Sequence, residues 1–201
     1  MSLRPGISKI FIDGGSHLGE AFQYFSNIYN LGEYDFLLME PNPDCFRVLV
    51  ERYQNVPGLY FVNKAIYTQN TTTDLFANEA TFTHDVSEID GLSYGCSLIN
   101  THNDLYYTPK PKYIVECVDV LDIIHTWCSG YSEIILKLDI EGAECDVLER
   151  LIMDPRCALS KIKTIIVEFH SQYTSNVEMQ MKEQQIIQTF AICGVDLQIW
   201  H

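Results

Sequence analysis

Short apolar runs alternate with amphipathic stretches along most of this chain. The runs at 9–13, 35–40, 58–63, 113–118, 132–139, 162–169 and 195–200 suit strands, beginning with the buried-looking KIFID. Between them, apolar positions at helical spacing predict helices over 17–29, 43–54, 119–128, 143–153 and 176–192. Ala143, Val147, Leu148 and Leu151 would share one face of such a helix. Strands and helices in strict alternation predict an α/β fold: a Rossmann-like, mostly parallel doubly wound sheet with helices on both faces. Residues 1–201 suit one domain. Only 67–112 break the alternation, with a Thr run at Thr71 to Thr73, Gly91, Gly95 and the pair Tyr106-Tyr107. An insertion of that length in a compact domain is usually functional and is expected to be a flap over the ligand side.

Three strand tips carry chemistry. The first strand ends in Asp13, followed by Gly14, Gly15, Ser16, His17, Leu18 and Gly19. Glycines there let the backbone turn tightly and approach a ligand closely. The second strand ends in Glu40, 21 positions after Gly19, where an acid can take both hydroxyls of a ribose. The stretch Lys137 to Leu148, KLDIEGAECDVL, gathers Asp139, Glu141 and Glu144 where a strand gives way to a helix. A glycine turn plus a ribose acid points to a nucleoside-containing cofactor. Asp13 would repel a pyrophosphate and attract a cationic ligand.

Composition narrows the partners. Net charge is -14, and the basic residues are isolated, so nucleic acid is not the expected partner. No apolar run reaches the roughly 18 residues a membrane span needs, and the first residues lack a signal peptide's apolar core. Seven scattered cysteines without a C-x-x-C pair suit reduced thiols in a cytoplasmic, intracellular setting.

The motifs together resemble the FkbM-type, S-adenosylmethionine-dependent O-methyltransferases. That family typically shows D-[VI]-G-A-N-x-G, then F-E-P-x-P, then K-[IV]-D-[VI]-E-G-A-E. Here DGGSHLG stands at Asp13 to Gly19, MEPNP at Met39 to Pro43, and KLDIEGAE at Lys137 to Glu144. Asn63-Lys64-Ala65-Ile66 is similar to the family's third-strand end, and Gly95-Cys96-Ser97-Leu98 to its Ser-Ser-Leu segment. Gly14, Ser16, His17 and Cys96 depart from the usual residues. The resemblance implies a class I methyltransferase fold and S-adenosyl-L-methionine as cofactor. It implies cofactor contacts at Asp13, Gly14, Gly15, His17, Gly19, Glu40, Pro41, Asn42, Ala65, Ile66, Ser97 and Asp139. It further implies transfer of a methyl group to a hydroxyl of a carbohydrate or other small-molecule acceptor. The chain's length and minimal N-terminus suit a module of a larger glycan-building polypeptide. The fold class usually closes with a two-strand hairpin, whereas only 195–200 is available here.

Such a transfer needs donor and acceptor held in line and a proton removed from a weakly acidic alcohol. Tips of adjacent parallel strands lie about 5 Å apart, so Asp139, Glu168 and His170 are expected to converge. Asp139 and Glu168 would be metal ligands or substrate clamps, with Mg²⁺ suited to their oxygens, and His170 would be the base. Lys137 would pair with one of these acids, and Glu144 would favour a helix N-terminus. Two other readings stay open: a nicotinamide-dependent oxidoreductase, disfavoured by Asp13, and a non-catalytic cofactor-binding domain.

Overall fold

The computed structural model describes residues 4–77, 95–100 and 110–200. Its elements are β1 (Lys9–Gly14), α1 (Glu20–Phe25), β2 (Tyr34–Met39), α2 (Pro43–Tyr53), β3 (Leu59–Val62), β4 (Ala65–Tyr67), β5 (Thr71–Ala77) and β6 (Lys110–Asp119). There follow α3 (Val120–Asp122), β7 (Glu133–Leu138), α4 (Glu144–Ile152), β8 (Ile162–Val167), α5 (Val177–Cys193) and β9 (Asp196–Ile199). The main sheet runs β3-β2-β1-β7-β8-β9, and every neighbouring pair in it is parallel.

The strands are near-continuously apolar because both faces of the sheet are covered. Alternate side chains go to opposite sides. Ile10 and Ile12 pack with Val147, Leu148 and Leu151 of α4 and with Ile186 and Phe190 of α5. Phe11 packs the other way, with Phe22 and Phe25 of α1 and Leu49 of α2. The class I methyltransferase fold expected from the motifs is therefore the fold observed.

Local chemistry sets the helix ends. The Asn42 side chain accepts from the Asp44 amide at 3.0 Å, and Pro43 opens α2. Asn176 caps α5 by accepting from Met179 at 3.3 Å. Helix α1 is shorter than the predicted 17–29. His17 and Gly19 take left-handed backbone (φ 46 and 97) and delay its start, and the Asn27 side chain donates from Nδ2 to the Gln23 carbonyl at 2.7 Å where it stops.

Two expectations need correction, and the single closing strand expected over 195–200 is observed. The predicted helix 119–128 is one turn of α3 followed by a π-helical turn, Ile123–Trp127. The insertion is not structureless throughout, because β4, β6 and β5 form a second three-stranded sheet, in that order. Residues 78–94 and 101–109, including Gly91, Tyr106 and Tyr107, lie outside the described residues. The sheet ends at β9 alone, parallel to β8, with Thr164 opposite Asp196.

Candidate functional site

All strands of the main sheet point their C-terminal ends the same way, and there a cavity of about 210 Å³ opens. Gly15, Ser16, His17, Met39, Glu40, Pro41, Ala65 and Ile66 form one part of its wall, and Lys137, Asp139, Ile140 and Glu141 another. Leu75, Gly95, Cys96 and Leu98 come from the insertion. Of the twelve residues expected to contact a cofactor, seven line the cavity: Gly15, His17, Glu40, Pro41, Ala65, Ile66 and Asp139.

The other five stand behind the wall, each with a structural task. Asp13 is fully buried. Register places it opposite Lys137 on the neighbouring strand, and Lys137 Nζ stands 3.1 Å from Asp13 Oδ1. This contact is an ion pair without hydrogen-bond alignment, and no donor among the described residues meets Asp13 Oδ2. Asp13 thus reaches the cavity through Lys137 rather than by its own carboxylate. Gly14 packs against the Lys137 carbonyl, where an added Cβ would come within 3.2 Å of it. At Gly19 an added Cβ would meet the Tyr53 ring at 2.4 Å. Asn42 is the helix cap described above. Ser97 is buried; its hydroxyl donates to the Glu141 carbonyl and accepts from the Ile99 amide at 2.9 Å.

Gly15 is the point of closest approach. Its φ is 76, and an added Cβ would fall 1.8 Å from the Asp139 carbonyl oxygen. The turn after β1 and the end of β7 therefore touch backbone to backbone. Glu40 closes the same turn from β2, accepting from the His17 amide and the Asn42 amide at 2.8 Å each. Burial pushes its carboxyl up to about 7, against the two amide hydrogen bonds and the nearby His17. Glu40 is in the cavity wall, and its carboxylate has acceptor capacity beyond these two amides.

Lys137 is fully buried and ties three segments together. Its ammonium reaches Asp13, the Asp139 carboxylate at 3.2 Å and the Gly15 carbonyl at 3.3 Å. Burial works against its charge, but Asp13 and Asp139 outweigh burial and raise its pKa.

Beyond Asp139 the acids crowd around His170. Its Nε2 lies 3.4 Å from Glu141, 3.8 Å from Asp139 and 3.9 Å from Glu168, and its Nδ1 lies 3.0 Å from Glu144. The predicted convergence of Asp139, Glu168 and His170 is what the strand tips produce. The role of His170 differs from the expectation. Burial disfavours its charge, yet Glu144, Glu141 and Asp139 prevail and its pKa is pushed up to about 10. An imidazole already protonated at neutral pH donates hydrogen bonds and does not take a proton. Burial raises the pKa of Asp139 despite Lys137, and Glu141 adds to the rise. Burial and Asp139 raise that of Glu168.

Sequence reasoning noted Glu141 and Glu144 at this junction but gave neither a role at the His170 cluster. Glu144 heads α4 as predicted, but it is buried and accepts from the amides of Ile140 and Gly142 at 2.9–3.1 Å while holding His170. Glu141 takes left-handed backbone, φ 56, unusual for a residue with a Cβ, and this aims its side chain at His170. Asp139, Glu141 and His170 each offer one ligand atom, all within 4.8 Å of one another, and so could hold a metal ion. Glu168, the other expected metal ligand, is outside that trio.

A parallel doubly wound sheet with a glycine turn, a buried ribose-type acid and acids after the fourth strand of its β1-β2-β3-β7-β8 series defines a class I methyltransferase architecture. The chain belongs to the methyltransferase FkbM domain family, whose model matches residues 13–196. The family is named for methyl transfer. The crystal structure of methyltransferase FkbM from Methylobacillus flagellatus KT is similar at 14% identity and TM-score 0.48, over 92% of this chain. This chain spans 39% of that one's length. No curated protein matches the chain. No helix among the described residues is long and apolar enough to cross a membrane.

Proposed function

We propose that this chain is an S-adenosylmethionine-dependent O-methyltransferase acting on a hydroxyl of a carbohydrate or other small-molecule acceptor. The observation that carries the reading is one cavity whose wall brings the glycine turn and Glu40 together with Asp139. Gly15 meets Asp139 backbone to backbone, His17 and Glu40 stand in the same wall, and the Asp139 carboxylate lies 3.2 Å from the buried Lys137.

The residues present fit the cofactor. Glu40 suits a ribose diol, the apolar Met39, Ala65 and Ile66 suit an adenine ring, and the turn at Gly15 offers bare backbone where a Cβ would fall 1.8 Å from the Asp139 carbonyl oxygen. When bound, S-adenosylmethionine supplies an electrophilic methyl group on a sulfonium. Leu75 and Leu98 add apolar surface to the cavity wall. Asp139, in the wall and with a raised pKa, accepts the proton of the acceptor hydroxyl. His170 remains an imidazolium and holds Asp139, Glu141 and Glu168 near one point. Mg²⁺ belongs to the same proposal, with Asp139, Glu141 and Glu168 supplying carboxylate oxygens, and His170 able to join them only after giving up its proton. It would stabilise negative charge on an acceptor oxygen.

A cytoplasmic setting fits the absence of any disulfide among the seven cysteines in the described residues.

Calorimetry with S-adenosylmethionine and with NAD tests the cofactor: saturable binding of the first alone is expected, and binding of NAD alone would end the reading. Transfer of a labelled methyl group to a glycan panel, with and without excess EDTA, tests the chemistry and the metal. Full activity in EDTA would remove Mg²⁺ and leave Asp139 as the base.

A further inference from the structure

A short segment of the insertion joins the cavity wall to the acids around His170. Gly95, Cys96 and Leu98 stand in the wall, and Ser97 between them does not. Ser97 is 2% exposed. Its backbone is seated on β5: the Phe76 amide donates to the Ser97 carbonyl at 2.7 Å, and the Ser97 amide donates to the Phe76 carbonyl at 2.9 Å. Its hydroxyl accepts from the Ile99 amide at 2.9 Å, and donates its own hydrogen to the Glu141 carbonyl.

That carbonyl belongs to a peptide unit gripped at both ends. The N–H of the same unit, the Gly142 amide, donates to the Glu144 carboxylate oxygens at 3.1 and 3.0 Å. The unit could flip only by changing ψ at Glu141 and φ at Gly142. Gly142, at φ 110 and without a Cβ, would not resist. Glu141 sits at φ 56, a conformation unfavourable for a residue with a Cβ that persists only where its surroundings over-determine it. Ser97 on one side and Glu144 on the other are those surroundings. The outcome is a Glu141 carboxylate 3.4 Å from His170 Nε2.

We infer that Ser97 is a positioning residue: it fixes the Glu141–Gly142 peptide and so keeps the Glu141 carboxylate aimed at His170. The insertion thereby sets the geometry of the acid cluster without touching the reacting atoms itself. The consequence for turnover rests on the methyl-transfer reading; the consequence for the cluster does not. Ser97→Ala separates the two tasks of the segment. It keeps the backbone pairing with Phe76, and with it the wall at Cys96 and Leu98, while removing the grip on the peptide.

The test is a double-mutant cycle read on His170. The full chain, labelled at histidine and freed of metal with chelator, is compared by NMR at one neutral pH as parent, Ser97→Ala, Glu141→Gln and the pair combined. His170→Gln assigns the imidazole signals. Ser97→Ala should move them in the same direction as Glu141→Gln, and in the Glu141→Gln background it should move them no further. Ser97→Cys, close in shape with a feebler donor, should fall between parent and alanine, and serves if the alanine variant does not fold. In a labelled-methyl assay Ser97→Ala should lower kcat about tenfold to a hundredfold, with donor KM within about twofold of the parent. Unmoved His170 signals in Ser97→Ala and Ser97→Cys would overturn the inference, as would a Ser97→Ala shift that adds in full to that of Glu141→Gln. If the signals respond as expected while no acceptor is methylated, the methyl-transfer reading falls and the positioning role stands.

Discussion

The two ends of the main sheet treat their acids in opposite ways. At the N-terminal end each buried carboxylate is matched by donors. Asp35, fully buried, takes the Arg4 guanidinium and the Tyr131 hydroxyl. Glu133 takes Tyr34 and Lys163. Nearby, Asp154 takes His125 at 2.6 Å and the Ala158 amide at 2.9 Å. These contacts hold its carboxyl down at about 2 against the burial that would raise it. At the C-terminal end Asp139, Glu141, Glu144 and Glu168 converge on one histidine, and burial raises Asp139 and Glu168 instead of being overcome. Matched acids build a fold. Acids in excess of their partners lower stability and persist where chemistry needs them.

The sharpest way to break this comparison is to neutralise one acid at each end. Asp139→Asn should cut methyl transfer by about 10²–10⁴-fold, the usual worth of a positioned base, with donor affinity nearly unchanged. A normal rate in a labelled-methyl assay would remove Asp139 from the chemistry. Asp35→Ala should instead cost about 3–5 kcal/mol of unfolding free energy, because it strands a partly buried guanidinium. Denaturant titration reads that loss, and donor binding per folded molecule should stay as it was. Glu40→Ala sits between the two classes. It should weaken donor binding by about 1–3 kcal/mol through lost charge-assisted hydrogen bonds, and unchanged calorimetric affinity would exclude Glu40 from the site.

The smallest effect is a pH slope. His170 has a folded-state pKa raised from 6.5 to about 10. The stability it contributes is therefore fully present below pH 6.5 and lost as pH rises toward about 10. Denaturant curves should show the stability gap between the parent and His170→Gln narrowing across that window. A gap that stays constant would mean that His170 is not the cation holding these acids.

Much of this was legible in the residues. The strands β1, β2, β7 and β8 announce themselves as apolar runs that end at a glycine or an acid, and α2 by its Asn-Pro start. The glycine turn, Glu40 and Asp139 follow from the same boundaries. What stayed hidden was non-local. Ala65–Tyr67 is only three residues long, though Ala65 and Ile66 are buried, and Thr71–Ala77 begins polar and half-exposed, so neither reads as a strand before it pairs with β6. Glu144 has the sequence signature of any acid opening a helix. Only folding brings the Ile140 and Gly142 amides and His170 onto it. Asp13 reads as a ligand contact until the register between β1 and β7 sets Lys137 against it.

That register has a consequence for how the chain is made. Lys9 pairs with Glu133, so the middle of the sheet joins segments more than a hundred residues apart. During synthesis β1 and β2 emerge long before β7, and the open edge of β1 must wait for most of the polypeptide. Assembly of this kind is slow, because a long loop closes before its contacts reward it. Until Lys137 arrives, Asp13 has no counter-ion, so the nascent first half is where chaperone contact and misassembly should concentrate.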